Sequence, residues 1–277
     1  YDNNKFILKH WHLAPSRYEN KQFIQQSNEN LDDIPNSFSD YEIELEIPDS
    51  FSVSSNLVSE NNRNLIGYNK PEVTLVIEAK TSYQNYKNDI ITVSCGLQDN
   101  KISEIEKAIL IDKITRFTAS KLGNSLTSKI IITQEDYQRQ PFYGLNQLPS
   151  FLSPFPDELM FELKFLKTYL NNYLKENLQL NPRKEYWIYD GIQMFLMMQY
   201  INENYPDLTM TGNLANLKIL KSYHFINLPF NQQYNYLYML MARKNLDQPL
   251  NEPKNRLIKF NEQISSKYRA GLSLNYL

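Results

Sequence analysis

Three histidines, one cysteine and a scatter of carboxylates are the side chains of this chain best suited to hold a metal, carry a nucleophile or move a proton. His10 and His12 flank Trp11 in "KFILKHWHL". Side chains alternate along a strand, so on a strand the two imidazoles share a face, a geometry able to hold a metal. No third ligand is suggested nearby, and a surface or structural role is the simpler reading. His224 sits in "SYHFINLPF", a loop between helices, with no nucleophile beside it to activate. Cys95 is the sole cysteine, which excludes an intramolecular disulfide and a cysteine-based zinc site. It lies in "DIITVSC", a predicted strand, where a buried structural thiol is the ordinary expectation. The carboxylates are too many for an acid pair to be chosen by spacing.

Several chemistries have no motif to carry them. The chain contains no G-x-G-x-x-G, no Walker pattern, no G-x-S-x-G elbow and no H-E-x-x-H. A net charge of −2 leaves no basic surplus to neutralise phosphates, so no nucleic-acid partner is expected. The longest apolar run falls well short of the roughly 20 residues that span a bilayer, so no transmembrane segment is expected. No signal peptide is visible after Tyr1, and the lack of an initiator methionine reads as a processed chain or an excerpt of a longer one. At 277 residues and 42% apolar, the chain is long and apolar enough for one large or two modest domains.

The elements that must position any site change character near residue 100. Before it, "KFILKHWHL", the alternating "YEIELEI", "EVTLVIEA" and "DIITVSC" read as strands, the last two at hairpin-like spacing. After it, "SEIEKAILIDKITRFTASKLG" is a predicted helix with a Ser103/Glu106 capping box and Gly123 as its C-terminal stop. "KIIIT" is a short buried strand. Long helices are predicted over 157–178 and 187–204, the second ended by Tyr205-Pro206, with further helices over 213–222, 231–246 and 254–268. Strands first, then one αβ unit, then helices is an α+β order, with a β-rich domain over 1–100 and a mostly helical α+β domain over 101–277.

Three segments, taken in order, resemble the aminopeptidase N family of zinc metallopeptidases. In "FYGLNQLPSFL", Gly144, Leu145, Asn146, Gln147 and Leu148 align with the family's G-x-M-E-N strand; only the glycine is kept, and Gln147 replaces the glutamate that grips the substrate's α-amine. An amide still accepts a hydrogen bond from an ammonium, but the charge assistance is gone. In "FELKF", Phe161 and Phe165 take the two histidine positions of the family's H-E-x-x-H, and Glu162 takes the general base. In "EYWIYDGIQMF", Trp187, Asp190 and Gly191 match W-x-x-E-G, with Asp190 at the third ligand position. Asp190 follows Phe165 by 25 residues (190 − 165), a longer interval than the family uses. "FILKHWHLAPSRY" and "DYEIELEIPDSFSVSSNL" follow the order of the last strands of the family's β-domain.

The resemblance implies the end of a β-saddle domain followed by a thermolysin-like, mostly helical domain, within a longer protein. It also implies a site without its metal: no catalytic residue, no zinc, and Phe161, Glu162, Phe165 and Asp190 as vestiges. The expected role is a catalytically inactive binding or scaffold module with protein or peptide partners. An extended peptide would lie beside Tyr143, Gly144, Asn146 and Gln147 by strand addition. An envelope setting, periplasmic or outer-envelope, fits such a branch, although the residues leave the compartment unassigned. Tyr234 is nearest to the family's transition-state tyrosine. Two readings stay open beside this one: an active metallopeptidase with unorthodox ligands, such as His10 with His12 or Asp190 with Glu162, and a purely structural interaction module. Phe161 and Phe165, one helical turn apart on one face, most simply pack into a core.

Overall fold

A computed structural model of the chain describes residues 4–25, 33–61, 63–143, 153–213 and 227–277. It is a mixed α+β structure with small sheets and helices. Its residues fall into two compact units, each assembled from three stretches: 1–98, 111–136 and 172–183 in the first, 99–110, 137–171 and 184–277 in the second.

The first unit holds the described strands: β1 (Lys5–Leu8), β2 (Tyr18–Glu19), β3 (Gln22–Phe23), β4 (Ser39–Glu44), β5 (Ser52–Ser55), β6 (Val58–Ser59), β7 (Asn64–Lys70), β8 (Leu75–Glu78), β9 (Gln84–Lys87), β10 (Thr92–Cys95) and β11 (Lys129–Ile132). β8 is the centre of one antiparallel sheet, β1-β8-β5, and β7 the centre of a second, β4-β7-β6. A third sheet runs β9-β10-β11, with β10 and β11 parallel. Parallel neighbours need a crossover connection, and α1 (Glu104–Leu122) lies between them in the chain. The hairpin-like spacing of "EVTLVIEA" and "DIITVSC" therefore does not make them partners: β8 and β10 belong to different sheets, and the short β9 takes the antiparallel place beside β10. The β2–β3 hairpin turns on Asn20 and Lys21, both at positive φ, as a two-residue turn matched to strand twist requires.

Alternation buries one face of these strands. Leu57, Leu65, Val73 and Leu75 form a core, with Leu8, Tyr41, Ile43, Leu45 and Val53 packed on it. Val76, Tyr83 and Ile131 form a second, smaller one. Burying such side chains is worth about 1.5–3 kcal/mol each. α1, which belongs to the second unit up to residue 110 and to the first from 111, begins on the expected capping box: Ser103 N–H donates to Glu106 Oε2 at 2.7 Å, and Glu106 N–H donates back to Ser103 Oγ at 3.3 Å. Gly123 closes it at φ +84°, where a side chain would be strained.

The second unit is helical. Besides the short α2 (Gln134–Arg139), which starts in the first unit, its helices are α3 (Asp157–Asn177, whose last turn and a half lies in the first unit), α4 (Tyr186–Asn204), α5 (Gln232–Ala242) and α6 (Ser266–Asn275). α4 stops where Tyr205 N–H reaches Ile201 O at 2.8 Å, one residue before Pro206. α5 ends earlier than its periodicity suggests, because Asn245 adopts φ +53° and Leu246 N–H returns to Met241 O at 3.1 Å. The helix predicted over 254–268 is instead a 3₁₀ turn (Lys254–Arg256), an extended Leu257, and a π-helical turn (Asn261–Ser265) that runs into α6. The Asn261 amide donates to Leu246 O and Gln248 Oε1, which fixes that irregular start. α4 and α6 lie close: a methyl at Gly271 would sit 2.5 Å from Met194 Cβ. The helix predicted over 213–222 lies almost wholly outside the described residues.

Candidate functional site

α3 carries "FELKF" in its second turn, and Phe161, Glu162, Leu163, Phe165 and Leu166 are all fully buried there. A helix buried around most of its circumference is a core helix, even where some of the buried side chains are polar. Phe161 and Phe165, four residues apart on one face, stack with centroids 6.3 Å apart and planes 19° apart; Tyr169 continues the row at 5.6 Å. The Lys107 ammonium lies 5.9 Å from the Phe161 ring centre. The phenyl rings have no lone pair to offer a metal.

Glu162 is a buried carboxylate in this apolar setting. Its Oε1 accepts the Tyr200 hydroxyl and its Oε2 accepts the Tyr205 hydroxyl, both from α4 and its C-terminal boundary. Burial first, and the neighbouring carboxylate second, push the Tyr200 phenol well above its ordinary range. Burial and the Glu162 hydrogen bond do the same to Tyr205. Both phenols are therefore neutral donors, and the carboxylate is held at both ends.

Asp190 stands elsewhere. Gln193 Nε2 donates to Lys167 O at 2.7 Å and Tyr200 pairs with Glu162, so rising numbers on α4 meet falling numbers on α3. Asp190 precedes Tyr200 by ten residues (200 − 190), or about 15 Å of helix. The structure does not bring Asp190 to Glu162. Asp190 Oδ1 instead lies 3.3 Å from Lys267 Nζ, which also donates to Gln140 Oε1 at 3.1 Å. Lys167, buried on α3, is the third charged group of this cluster; burial, then Lys267, push its amine down to about 7, against the pull of Asp190. Gly191 is buried and Trp187 half-buried; the buried aromatic at this helix start is Tyr186, whose hydroxyl burial and Asp190 push up to about 12. Tyr234 is fully buried edge-on to Tyr268, ring centres 4.9 Å apart.

The two strand histidines do not sit on a strand. β1 ends at Leu8, where its pairing with Leu75 runs out, and His10 turns the chain at φ +52°. His10 Nε2 is 3.3 Å from Glu72 Oε2, and His12 Nε2 is 3.3 Å from the Tyr41 hydroxyl. Burial first, and His10 second, lower the His12 pKa. Both border a cavity of about 410 Å³ within the first unit, with Ser16, Ile24, Pro35 and Asn36. Among the described residues no group of three His, Cys, Asp or Glu side chains is arranged to hold a metal ion. Tyr143 is partly exposed; Gly144, Asn146, Gln147 and His224 lie outside the described residues.

Sequence reasoning passed over Lys167, Lys267, Tyr200 and Tyr205. Lys167 had a signal: it falls four residues after Leu163 and three before Leu170, inside an apolar helical stripe. The tyrosines had none, because their partner is about 40 residues away in sequence.

No protein-family model matches the chain, and no curated protein matches it. A crystal structure described as an aminopeptidase N family protein from Idiomarina loihiensis is similar over 86% of this chain and 50% of that one, at 10% identity and a TM-score of 0.39. The chain thus spans about half the length of that protein. No described helix is long and apolar enough to cross a membrane.

Proposed function

We propose that this chain is an aminopeptidase-like module without a zinc site, used for binding or as a scaffold in a larger assembly. Glu162 carries the reading. It occupies the general-base position of the resembled motif, yet it is fully buried with each oxygen accepting a tyrosine hydroxyl. A general base needs an oxygen within hydrogen-bond reach of the water it activates. The flanking Phe161 and Phe165 are stacked core side chains, and Asp190 is engaged by Lys267. A catalytic zinc needs three protein ligands and an open position. These four residues do not fit that requirement, and no step of peptide hydrolysis is assigned to them.

The proposed arrangement is the end of a β-saddle over 1–100 and a thermolysin-like pseudo-catalytic domain over 101–277. A protein or peptide partner is proposed, its extended backbone adding along Tyr143 to Gln147. The test is zinc content by mass spectrometry, on protein loaded with a small excess of zinc and then desalted. Near-zero zinc per chain is expected, with no peptide cleavage. One tightly held zinc per chain, with cleavage stopped by a chelator, would overturn the proposal in favour of an active metallopeptidase.

A further inference from the structure

The β4-β7-β6 sheet ends on β4, at six residues the longest of the described edge strands. β4 pairs with β7 on one side and with no described strand on the other. Beyond the irregularity between Ser39 and Tyr41 the register is regular, from Tyr41 opposite Gly67 to Glu44 opposite Asn64. Leu45 N–H continues it, donating to Arg63 O at 2.9 Å. Hydrogen-bonded pairs alternate along an antiparallel ladder, so Tyr41, Ile43 and Leu45 turn their backbone groups toward β7. Glu42 and Glu44 turn theirs to the open edge. The side chains divide in step. Tyr41, Ile43 and Leu45 lean on the Leu57 and Leu65 core yet stay half-buried, whereas Leu65 and Gly67 on the neighbouring strand are buried. Glu42, Glu44 and Glu46 are exposed on the other face, and none has an ion pair among the described residues.

We propose that the free edge of β4 takes an extended segment of a protein partner in which basic and apolar residues alternate. Added antiparallel, that strand exchanges backbone hydrogen bonds with Glu42 and Glu44. Its residues opposite Tyr41, Ile43 and Leu45 are apolar and complete the burial that the edge leaves unfinished. Those opposite Glu42 and Glu44 are lysine or arginine and meet carboxylates that have no cation of their own. The same acids choose among occupants. A second copy of β4 laid antiparallel would pair through the same two outward residues, setting glutamate against glutamate, which is destabilising. The acidic face thus works against self-association of a long edge strand and leaves a basic partner as the complementary one. This edge lies in the first unit and does not depend on the peptidase-like reading.

The test uses the whole chain and a fluorescent peptide of about seven residues that alternates valine and lysine, read by anisotropy and by amide hydrogen exchange. Saturable binding is expected, with new protection at the Glu42 and Glu44 amides. A peptide of the same composition with its lysines in one block keeps the charge without the alternation, and should bind roughly tenfold more weakly. An alternating peptide of valine and glutamate should not bind. These readings are made on the unaltered protein, so they do not depend on any variant folding. Glu42→Lys combined with Glu44→Lys changes two exposed side chains; it should weaken the lysine peptide roughly tenfold and let the glutamate peptide bind. Equal binding of the two lysine peptides would mean diffuse charge attraction and overturns the proposal, as does the absence of saturable binding. Protection of the two amides without peptide also overturns it, because the edge is then covered by this chain or by a second copy.

Discussion

The two units bury charge in opposite ways. In the first, Lys70 Nζ meets Glu176 Oε2 at 2.8 Å and also reaches Thr127 Oγ1 and Lys129 O, while Asn56 Nδ2 donates to Glu176 Oε1 at 2.8 Å. One cation faces one anion and both are filled by neutral partners; the neighbouring Lys129 is only half-buried, and its amine is lowered by burial and by Lys70. In the second, Asp190 meets Lys267 at 3.3 Å, and the buried Lys167 has its amine pushed down by burial and by Lys267. The first arrangement locks a fold, because every member needs the others. The second holds a buried amine whose proton is lost more easily than an ordinary lysine's. Buried charge is therefore not one category: balance and satisfaction decide whether it specifies structure or chemistry.

The largest expected effect breaks the balanced cluster. Lys70→Met leaves the Glu176 carboxylate buried without its cation, and burial already pushes that carboxyl up despite Lys70. A loss of about 3–5 kcal/mol is expected, read from urea unfolding at neutral pH. A change below about 1 kcal/mol would mean the pair is wetter than its burial suggests, and the contrast between the units would fail.

Much of the frame was legible because its signals are local. Ser103 and Glu106 sit three residues apart, and Gly123 and Pro206 terminate helices through their own backbones. Strand partners were less legible: the sequence spacing of β8 and β10 resembles a hairpin, but β1, from the chain's start, and β5 are the neighbours of β8. The histidines were placed on one strand face because alternation extends "KFIL" past Leu8, whereas pairing stops there and His10 turns. The candidate site divides the same way. Burial of Phe161 and Phe165 follows from helical spacing. The tyrosine clamp on Glu162 and the pairing of Asp190 with Lys267, 77 residues on (267 − 190), are tertiary facts that no local pattern encodes.

Removing the buried Lys167 amine reverses the sign. The folded-state pKa of Lys167 is depressed to about 7, so between that value and about 10.4 the unfolded chain carries a proton that the folded chain lacks. Stability therefore rises with pH across that window and is lowest below it. Lys167→Met keeps the length and apolar stem without the amine. Near pH 7 a gain on the order of 3 kcal/mol is expected, shrinking as the pH approaches 9.5. Urea midpoints of both proteins at pH 7 and 9.5 check it. Lys267, Asp190 and Gln140, which are joined to one another, are unchanged between the two proteins. A variant that is less stable at pH 7, with the pH slope intact, would show that Lys167 is paired in solution.

The smallest effect sharpens the comparison by applying one change to both units, an amide replaced by an apolar side chain. Asn56 is filled: Nδ2 donates to Glu72 O and Glu176 Oε1, and Oδ1 accepts Thr74 N–H at 3.0 Å. Asn56→Leu strands a backbone donor and part of a buried carboxylate, and about 1–3 kcal/mol should be lost. Gln193 is half-filled, with Nε2 on Lys167 O, a helix carbonyl, and Oε1 unpartnered among the described residues. Gln193→Met removes an unsatisfied buried acceptor together with one hydrogen bond, so the two terms offset and a change within about 1 kcal/mol is expected. Urea unfolding of the two variants side by side decides the point. If Gln193→Met costs as much as Asn56→Leu, the Gln193 amide is as fully satisfied in solution as that of Asn56, and the contrast between the two amides fails.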